Sequence, residues 1–308
     1  MLLIGAGSAA AQARQVAITI DDLPRGGDGG PYDLAGLREM TTQLLRPFRD
    51  QKIPVIGFVN AGRRNVDPDG LRQLLALWLD AGAELGNHSY SHPDINNVAL
   101  DTYTADIVKG EPAIRAALSA RGKKLEFYRH PFLHLGATPE VKKDLQAFLD
   151  QRGYRVAPVT LDNADYAFAA AYRQPALRER ARREYVPYMQ SVIEFFERRS
   201  VEVVGREIPQ VLLIHANQLN ADLLPELLEM LRYYHEDRHF VRHDVTPGLT
   251  GWWQITSRTV RQTEVDPKDD LETKTRDDSY YVANRSLWLD LKILLRTPLM
   301  VVLRRGAF

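Results

Sequence analysis

The sequence predicts an α/β protein: a distorted barrel of parallel strands, followed by a C-terminal appendage of irregular and helical structure. Between Val16 and about Glu236, short β-rich runs alternate with stretches of helical periodicity. This alternation is typical of a parallel sheet covered by helices, and six or more such units favour a barrel over an open sheet. Polar side chains also follow the carboxyl ends of successive runs, as they do in parallel α/β barrels.

We expect a strand in each β-rich run and a helix in each amphipathic segment between them. The predicted strands are Val16–Ile20, Ile53–Asn60, Ala83–Asn87, Leu125–Arg129, Tyr154–Leu161 and Gln210–Ile214. The predicted helices are Leu34–Asp50, Asp69–Ala81, Asp101–Arg121, Pro139–Arg152, Gln174–Arg199 and Ala221–Glu236. The segment Asp162–Tyr172 is predicted to be a loop. After Glu236 the strand–helix rhythm stops, and a compact amphipathic helix pattern follows at Asn284–Arg305.

Composition limits the classes of function. The chain has 308 residues, 40 of them basic and 40 acidic, and 44% hydrophobic residues. This suits one large domain, or one domain with an appendage. A formal net charge of zero gives no electrostatic reason to expect nucleic-acid binding. Because the chain has no cysteine, disulfides, zinc ribbons and thiol catalysis are excluded, and any metal must be bound by His, Asp or Glu.

The first residues indicate export. The segment Met1–Ala13 is apolar and small, and it ends in an Ala-x-Ala pattern. It is typical of the back half of a secretory signal cleaved after Ala13, although a basic n-region is missing. The alternative is a disordered, alanine-rich tail. We therefore expect a periplasmic or secreted protein.

Chemically capable side chains follow the ends of five predicted strands. These residues are Asp21-Asp22, His88, Arg129, Asp162 and His215. Two imidazoles, His88 and His92, with one carboxylate make a divalent-metal site with open positions. The other carboxylate of the Asp pair could act as a base beside the metal.

Each of these motifs is weak by itself. Two histidines four residues apart are more often surface or core residues than ligands, and Asp pairs commonly cap helices or open turns. Their joint position at adjacent strand ends makes a metal site the stronger interpretation.

The chain resembles the polysaccharide deacetylase family, also called NodB-homology carbohydrate esterases, over roughly Val16–Leu231. Five segments that match in order carry the resemblance: Thr19–Asp22, His88–His92, Arg129–Phe132, Asp162–Tyr166 and Leu212–His215. The chain departs from the family pattern at Ile20, where Phe is usual, and at Tyr166, where Trp is usual. The resemblance implies a distorted barrel of the NodB-homology type.

The resemblance also implies a metal-dependent reaction. Asp22, His88 and His92 would bind a divalent metal, usually zinc, with room for water and substrate. Asp21 would be the general base that deprotonates that water. Arg129 would keep Asp21 ionised and oriented, and the alternative for Arg129 is a purely structural salt bridge.

The remaining matched residues would surround the substrate. The backbone N–H of Phe132 would stabilise the tetrahedral oxyanion. His215 would protonate the departing amine, although a hydrogen-bonded buried histidine is the alternative. Tyr166 and Leu213 would help to form the wall of the acetyl pocket.

Four further residues in or near the motifs have less defined roles. Asp162 would be a supporting carboxylate for Arg129 or His215, and its alternative is to cap a turn. Asp165 ranks behind Asp162. His130 and His134 are interpreted as pocket-wall or surface residues and not as ligands.

The end of the chain resembles a second family. Residues Arg242–Phe308 are similar to the C-terminal part of bacterial sugar transferases, which are membrane-bound polyprenyl-phosphate phosphoglycosyltransferases. The catalytic Asp-Glu pair of that family lies further upstream in it and has no counterpart here. A fused reading frame and an accessory module both explain such a tail. The helix pattern at Leu287–Leu303, with flanking Arg and Lys, could lie on a membrane surface or pack on the barrel.

The sequence thus divides into a signal remnant (1–13), a deacetylase domain (14–236) and a sugar-transferase-like fragment (237–308). The expected function is metal-dependent removal of N-acetyl or O-acetyl groups from an acetylated polysaccharide or oligosaccharide. The alternatives are sugar-phosphate transfer to a polyprenyl-phosphate carrier and a non-catalytic glycan-binding barrel. The particular polymer and the metal are left open.

Overall fold

The computed structural model describes residues 15–31, 33–63 and 66–234. Its strands are β1 (Val16–Leu23), β2 (Val55–Val59), β3 (Glu84–Asn87), β4 (Phe127–Tyr128), β5 (Arg155–Val156) and β6 (Gln210–His215). Its helices are α1 (Leu34–Gln51), α2 (Pro68–Asp80), α3 (Leu100–Ser119), α4 (Pro139–Gln151), α5 (Asp165–Tyr172), α6 (Arg178–Val204) and α7 (Gln218–Tyr234).

The six strands form one parallel sheet that curls almost into a ring. Their order is β5-β4-β3-β2-β1-β6, and every pair in the sheet is parallel. Beyond β5 the chain reaches the opposite edge, where Leu161 forms an isolated parallel bridge with Leu212 of β6. The predicted distorted barrel of parallel strands is therefore confirmed, and its weakest closure lies between β5 and β6.

The predicted run Tyr154–Leu161 is divided between two partners. Arg155 and Val156 pair with β4, and the Ala157 N–H donates to the Tyr128 carbonyl at 2.8 Å. Four residues later the Leu161 N–H donates to the Val211 carbonyl of β6 at 3.0 Å. One strand cannot pair with both β4 and β6 over its whole length. The strand β5 is therefore short, and the barrel closes through the single bridge between Leu161 and Leu212.

The helices agree with the apolar periodicity except around residue 170. The segment Asp162–Tyr172, predicted as a loop, contains α5, and α6 begins at Arg178 where Gln174 was expected. Local signals define other boundaries well: the Asp33 side chain accepts the Gly36 N–H at the start of α1. Thr138 caps α4 in the same manner, with Pro139 in the first turn.

The core lies between the curled sheet and its covering helices. Ile20, Leu23 and Phe58 from the strands are fully buried, as is Trp78 of α2. Gly57 is required at this contact, because a Cβ there would lie 2.6 Å from Leu23 Cδ2 and 2.9 Å from the Trp78 ring. Each such large apolar side chain stabilises the fold by about 1.5–3 kcal/mol, which keeps the strand ends in fixed positions.

Several predicted features lie outside the described residues. They are the leader at 1–13, the fragment at 237–308 and its amphipathic pattern at Leu287–Leu303. Within the described part of the chain, no helix has both the length and the apolarity needed to cross a bilayer.

Candidate active site

A β-bulge in β1 directs the side chains of two adjacent aspartates towards the same site. In a regular strand Asp21 and Asp22 would point to opposite faces. The register of β1 against β2 shifts between Ile20 and Leu23, and Asp22 has a φ of 68°. This local distortion re-aims the second carboxylate, as bulges near active sites commonly do. The pair therefore lies inside β1, not after it as predicted, and both carboxylates are buried.

Asp22, His88 and His92 converge as the sequence predicted. One ligand atom from each of the three lies within 4.8 Å of the others. Asp22 Oδ1 is 3.8 Å from His88 Nε2 and 3.5 Å from His92 Nε2. His88 Nδ1 lies 2.8 Å from the Arg129 carbonyl, to which it donates in the tautomer that leaves Nε2 free to bind. These donors fit a divalent ion with open coordination positions.

The segment that carries the two histidines is a strained loop and not a helix. Ser89 and His92 both have positive φ, at 67° and 61°. Ser89 Oγ accepts the His92 N–H at 3.1 Å, and Asp106 of α3 accepts the Tyr90 and Ser91 N–H groups at 2.8 and 2.9 Å. These side-chain bonds stabilise the loop that directs both imidazoles towards Asp22. Nothing in the motif pattern pointed to Asp106.

The electrostatics leave the three groups in the form that binds a metal. Burial lowers the pKa of His88 to about 3 and also lowers that of His92, so both rings are neutral at pH 7. Burial alone would raise the pKa of Asp22, but the positive charges of Arg63 and His215 oppose it, and the pKa is lowered. Two neutral imidazoles and one carboxylate are ready-made ligands.

Asp21 has a different environment. Burial raises its pKa to about 6, although the positive charges of Arg129 and His215 oppose this. The fully buried Arg129 has Nη1 3.8 Å from Asp21 Oδ2, and its Nη2 donates to Thr19 Oγ1 at 2.9 Å. Asp21 Oδ1 has no hydrogen-bond partner among the described residues. A buried carboxylate with a pKa near neutrality suits proton abstraction.

His215 ends β6, in register with Asp21 on the neighbouring strand β1. Its Nδ1 is 2.6 Å from Asp165 Oδ1, and its backbone N–H donates to Asp165 Oδ2 at 2.8 Å. Burial lowers the pKa of His215, but the charge of Asp165 and the hydrogen bond to it outweigh burial and raise the pKa to about 9. The ring is therefore cationic at neutral pH and can donate a proton.

Asp165 is itself held by a buried hydrogen-bond chain. Asn220 Nδ2 donates to Asp165 Oδ2 at 2.7 Å, and the Tyr185 hydroxyl donates to Asn220 Oδ1 at 2.6 Å. Both Asp165 and Asn220 are completely buried. No motif in the sequence marks Asn220 or Tyr185, which are positioned by α7 and α6.

The prediction that Asp162 supports Arg129 or His215 is wrong. Asp162 is exposed, and among the described residues its carboxylate accepts only the neighbouring Asn163 N–H, at 2.9 Å. After the bridge at Leu161, Asn163 turns inward and donates to the Leu213 carbonyl at 2.6 Å. That anchor starts α5 and delivers Asp165 to His215, three residues later than expected.

Two exposed aromatic side chains flank the site. The Phe132 ring lies 4.5 Å from that of His92 and is 55% exposed. The Tyr166 ring lies 6.3 Å from that of His215 and is 63% exposed. Leu213 is buried and shares the face of β6 with His215, because residues two apart in a strand point the same way. The Phe132 and Tyr166 rings thus border the site, and the role of Tyr166 and Leu213 in an acetyl-pocket wall stays a prediction.

The other two histidines of this region stay outside the ligand group. His130 is buried, with its ring 5.0 Å from that of Tyr128. His134 Nδ1 pairs with Asp94 Oδ1 at 2.8 Å. Both positions agree with their interpretation as wall or surface residues.

Arg63 is a member of the site that sequence reasoning missed. It follows β2, and its Nη1 lies 2.5 Å from Asp22 Oδ1. No motif marks it, because its role depends on how the loop after β2 folds back over the end of β1.

Two family models match different parts of the chain. The polysaccharide deacetylase model matches residues 8–156, and the bacterial sugar transferase model matches residues 207–304. The sugar transferase match begins at residue 207 and therefore includes β6, the strand that pairs with β1.

Curated relatives show the same division. The chain is 38% identical to the uncharacterized sugar transferase EpsL of Bacillus subtilis over 105 residues, which are 32% of this chain and 46% of that protein. It is 28% identical to the chitin deacetylase of Colletotrichum lindemuthianum over 156 residues, 49% of this chain and 52% of that one. The chain spans about half or less of the length of these relatives.

Solved structures that align with this chain include a chitin deacetylase from the same fungus. It aligns with a TM-score of 0.47 and 22% identity over 72% of this chain and 83% of its own. A CE4 family pseudoenzyme from Bacillus anthracis aligns with a TM-score of 0.49 and 17% identity, over 73% of this chain and 62% of its own. By these matches, residues 8–156 are similar to the polysaccharide deacetylase family and residues 207–304 to the bacterial sugar transferase family.

Proposed function

We propose that the described domain is a metal-dependent hydrolase that removes acetyl groups from an acetylated polysaccharide. The observation that carries this proposal is the convergence of Asp22, His88 and His92 beside the buried carboxylate of Asp21. A cationic histidine, His215, lies in register with that carboxylate on the next strand. The site thus combines a metal-ligand group, a base and an acid.

The donor set supports zinc as the ion. Two neutral imidazole nitrogens and one carboxylate oxygen are common zinc ligands, and other first-row ions accept the same donors. A divalent ion held by these side chains would polarise the acetyl carbonyl and lower the pKa of water. The identity of the ion is a matter for metal analysis.

Asp21 is the proposed general base. With a pKa near 6, its carboxylate is mostly ionised at neutral pH and still basic enough to take a proton from water in the transition state. The positive charge of Arg129, with Nη1 3.8 Å from Asp21 Oδ2, limits how far burial can raise the pKa of this carboxyl group.

His215 is the proposed general acid. Asp165 accepts from Nδ1 and keeps the ring cationic, so the Nε2 proton can pass to the departing amine or alcohol. The backbone N–H of Phe132 is the proposed donor to the oxyanion. Tyr166 and Leu213 would border the acetyl group.

The similarity to polysaccharide deacetylases supports a substrate class. We propose an N-acetylated or O-acetylated glycan, because a chitin deacetylase is among the relatives and both acetyl groups meet the same chemistry. We further propose export to the periplasm or the medium, which the signal-like Met1–Ala13 supports.

Metal analysis combined with an acetate-release screen tests the proposal. The purified chain should bind about one equivalent of zinc and release acetate from acetylated oligosaccharides, and a chelator should stop the release. Glycan binding without acetate release would instead indicate a non-catalytic barrel. Sugar-phosphate transfer to polyprenyl phosphate, assayed with a radiolabelled sugar nucleotide, would assign the activity to the C-terminal segment.

A further inference from the structure

The loop after β2 is built to bring one arginine to the metal-ligand group. The Asn60 N–H donates to the Leu23 carbonyl at 3.0 Å, which attaches the start of this loop to the end of β1. The Asn60 side chain donates to the His88 carbonyl. The Arg63 N–H then closes a turn on the Asn60 carbonyl at 3.1 Å.

A glycine allows the loop to lie against the histidine segment. The Gly62 N–H donates to the Tyr90 carbonyl at 2.9 Å, and a Cβ on Gly62 would overlap the Tyr90 ring. The backbone immediately after Asp22 is thereby held close to the backbone that carries His88 and His92. The side chain of Arg63 is 20% exposed, so it approaches Asp22 from the solvent-facing rim of the site.

The Arg63 guanidinium contacts the same oxygen that faces the two imidazoles. Its Nη1 lies 2.5 Å from Asp22 Oδ1, and that oxygen is 3.5 Å from His92 Nε2 and 3.8 Å from His88 Nε2. Nη1 also lies 3.4 Å from Asn60 Oδ1. A permanent cation thus contacts the Asp22 oxygen that faces both imidazoles of the three-residue group.

We propose that Arg63 competes with the metal ion for Asp22, so that exchange between guanidinium and ion sets the metal affinity of the site. This inference rests on the proposed metal-dependent function. Two cations on one carboxylate oxygen repel each other strongly in a poorly solvated site. Binding of the ion therefore requires Arg63 to release Oδ1, and the rim position gives its long side chain room to move away.

The test is zinc affinity, measured by competition with a chromophoric chelator. Arg63→Met retains most of the length and apolar stem of the side chain but removes its charge and donors. It should bind zinc about tenfold more tightly than the native chain, since the competing charge is gone. Arg63→Lys, which keeps a cation on a shorter and non-planar head group, should lie between the two.

Arg72→Met is the matched control. Arg72 is an exposed arginine of α2 that pairs with Asp69, so this variant makes the same change in net charge away from the site. Its zinc affinity should equal that of the native chain. Equal or weaker zinc binding by Arg63→Met would overturn the competition and make Arg63 a residue that only orients Asp22. Absence of zinc binding in the native chain and in all variants would overturn the metal site, and with it the proposed function.

Discussion

The two sides of the site use the same kind of side chain in opposite charge states. His88 and His215 both lie at strand ends; His88 is buried, and the side chain of His215 is 21% exposed. The pKa of His88 falls to about 3, whereas that of His215 rises to about 9. The ring of His88 faces a neutral carbonyl across Nδ1, and the ring of His215 faces the carboxylate of Asp165. Burial lowers the pKa of both rings, so the partner of Nδ1 decides whether the ring is a ligand or a proton donor.

The adjacent aspartates show a related contrast. Arg129 lies 3.8 Å from Asp21, and burial is the main cause of the raised pKa of Asp21. Asp22 has Arg63 at 2.5 Å and a lowered pKa. A difference of little more than 1 Å in the approach of an arginine separates a carboxylate that can take a proton from one that stays anionic. The bulge in β1 makes these two environments possible for consecutive residues.

Loss of a ligand on the His88 side should have the largest effect. His88→Gln should lower the zinc content well below one equivalent and reduce acetate release by more than about 10⁴-fold, because the ion's contribution to the reaction is lost. Plasma emission spectroscopy and an acetate assay measure the two quantities.

His134→Gln is the control for that experiment. His134 is 43% exposed in its side chain and pairs with Asp94, outside the ligand group. It should keep its zinc and its activity. Equal loss in both variants would mean that this region contributes to folding rather than to metal binding.

Removal of the base should separate chemistry from metal binding. Asp21→Asn keeps the size of the side chain but cannot accept a proton, so kcat should fall by about 10²–10⁴-fold. The zinc content should be unchanged, because Asp22 supplies the ligand oxygen. Intact activity in this variant would reject Asp21 as the base.

On the His215 side, the pH profile should change more than the metal content. His215 must be protonated to act, so kcat/KM of the native chain should decline as pH rises through about 9. Asp165→Asn removes the charge that raises this pKa, and the alkaline limb should move down towards about 6.5. At pH 8 the activity should be about thirtyfold lower, since only about 3% of a group with that pKa is protonated there.

Asp162→Asn should have the smallest effect and is the matched partner of Asp165→Asn. Its carboxylate is exposed and bonds only to Asn163 within the described residues. We expect kcat/KM within about twofold of native and an unchanged alkaline limb, as for most exposed charges. A downward shift of the limb in Asp162→Asn, without one in Asp165→Asn, would reverse the assignment of the two carboxylates.

The parts of the site that the sequence could predict are those that depend on strand ends. Parallel strands bring their carboxyl ends to one edge, so His88, Arg129 and His215 could be placed together from spacing alone. The assignment of Asp162 failed because it depends on the single bridge at Leu161 and on the turn that starts α5. Arg63 and Asn220 reach the site through loop and helix packing, which leaves no local pattern in the sequence.

Nitrogen NMR of the imidazole rings tests most directly whether the site divides its histidines by charge. Spectra would be recorded between pH 4 and 10 before zinc is added, with His88→Gln and His215→Gln used to assign the signals. The structure predicts that His215 stays doubly protonated at pH 7.5 and titrates near 9, while His88 stays neutral throughout that range. Titration of both rings near about 6.5, the value of an unperturbed histidine, would contradict the proposed division between ligand and acid.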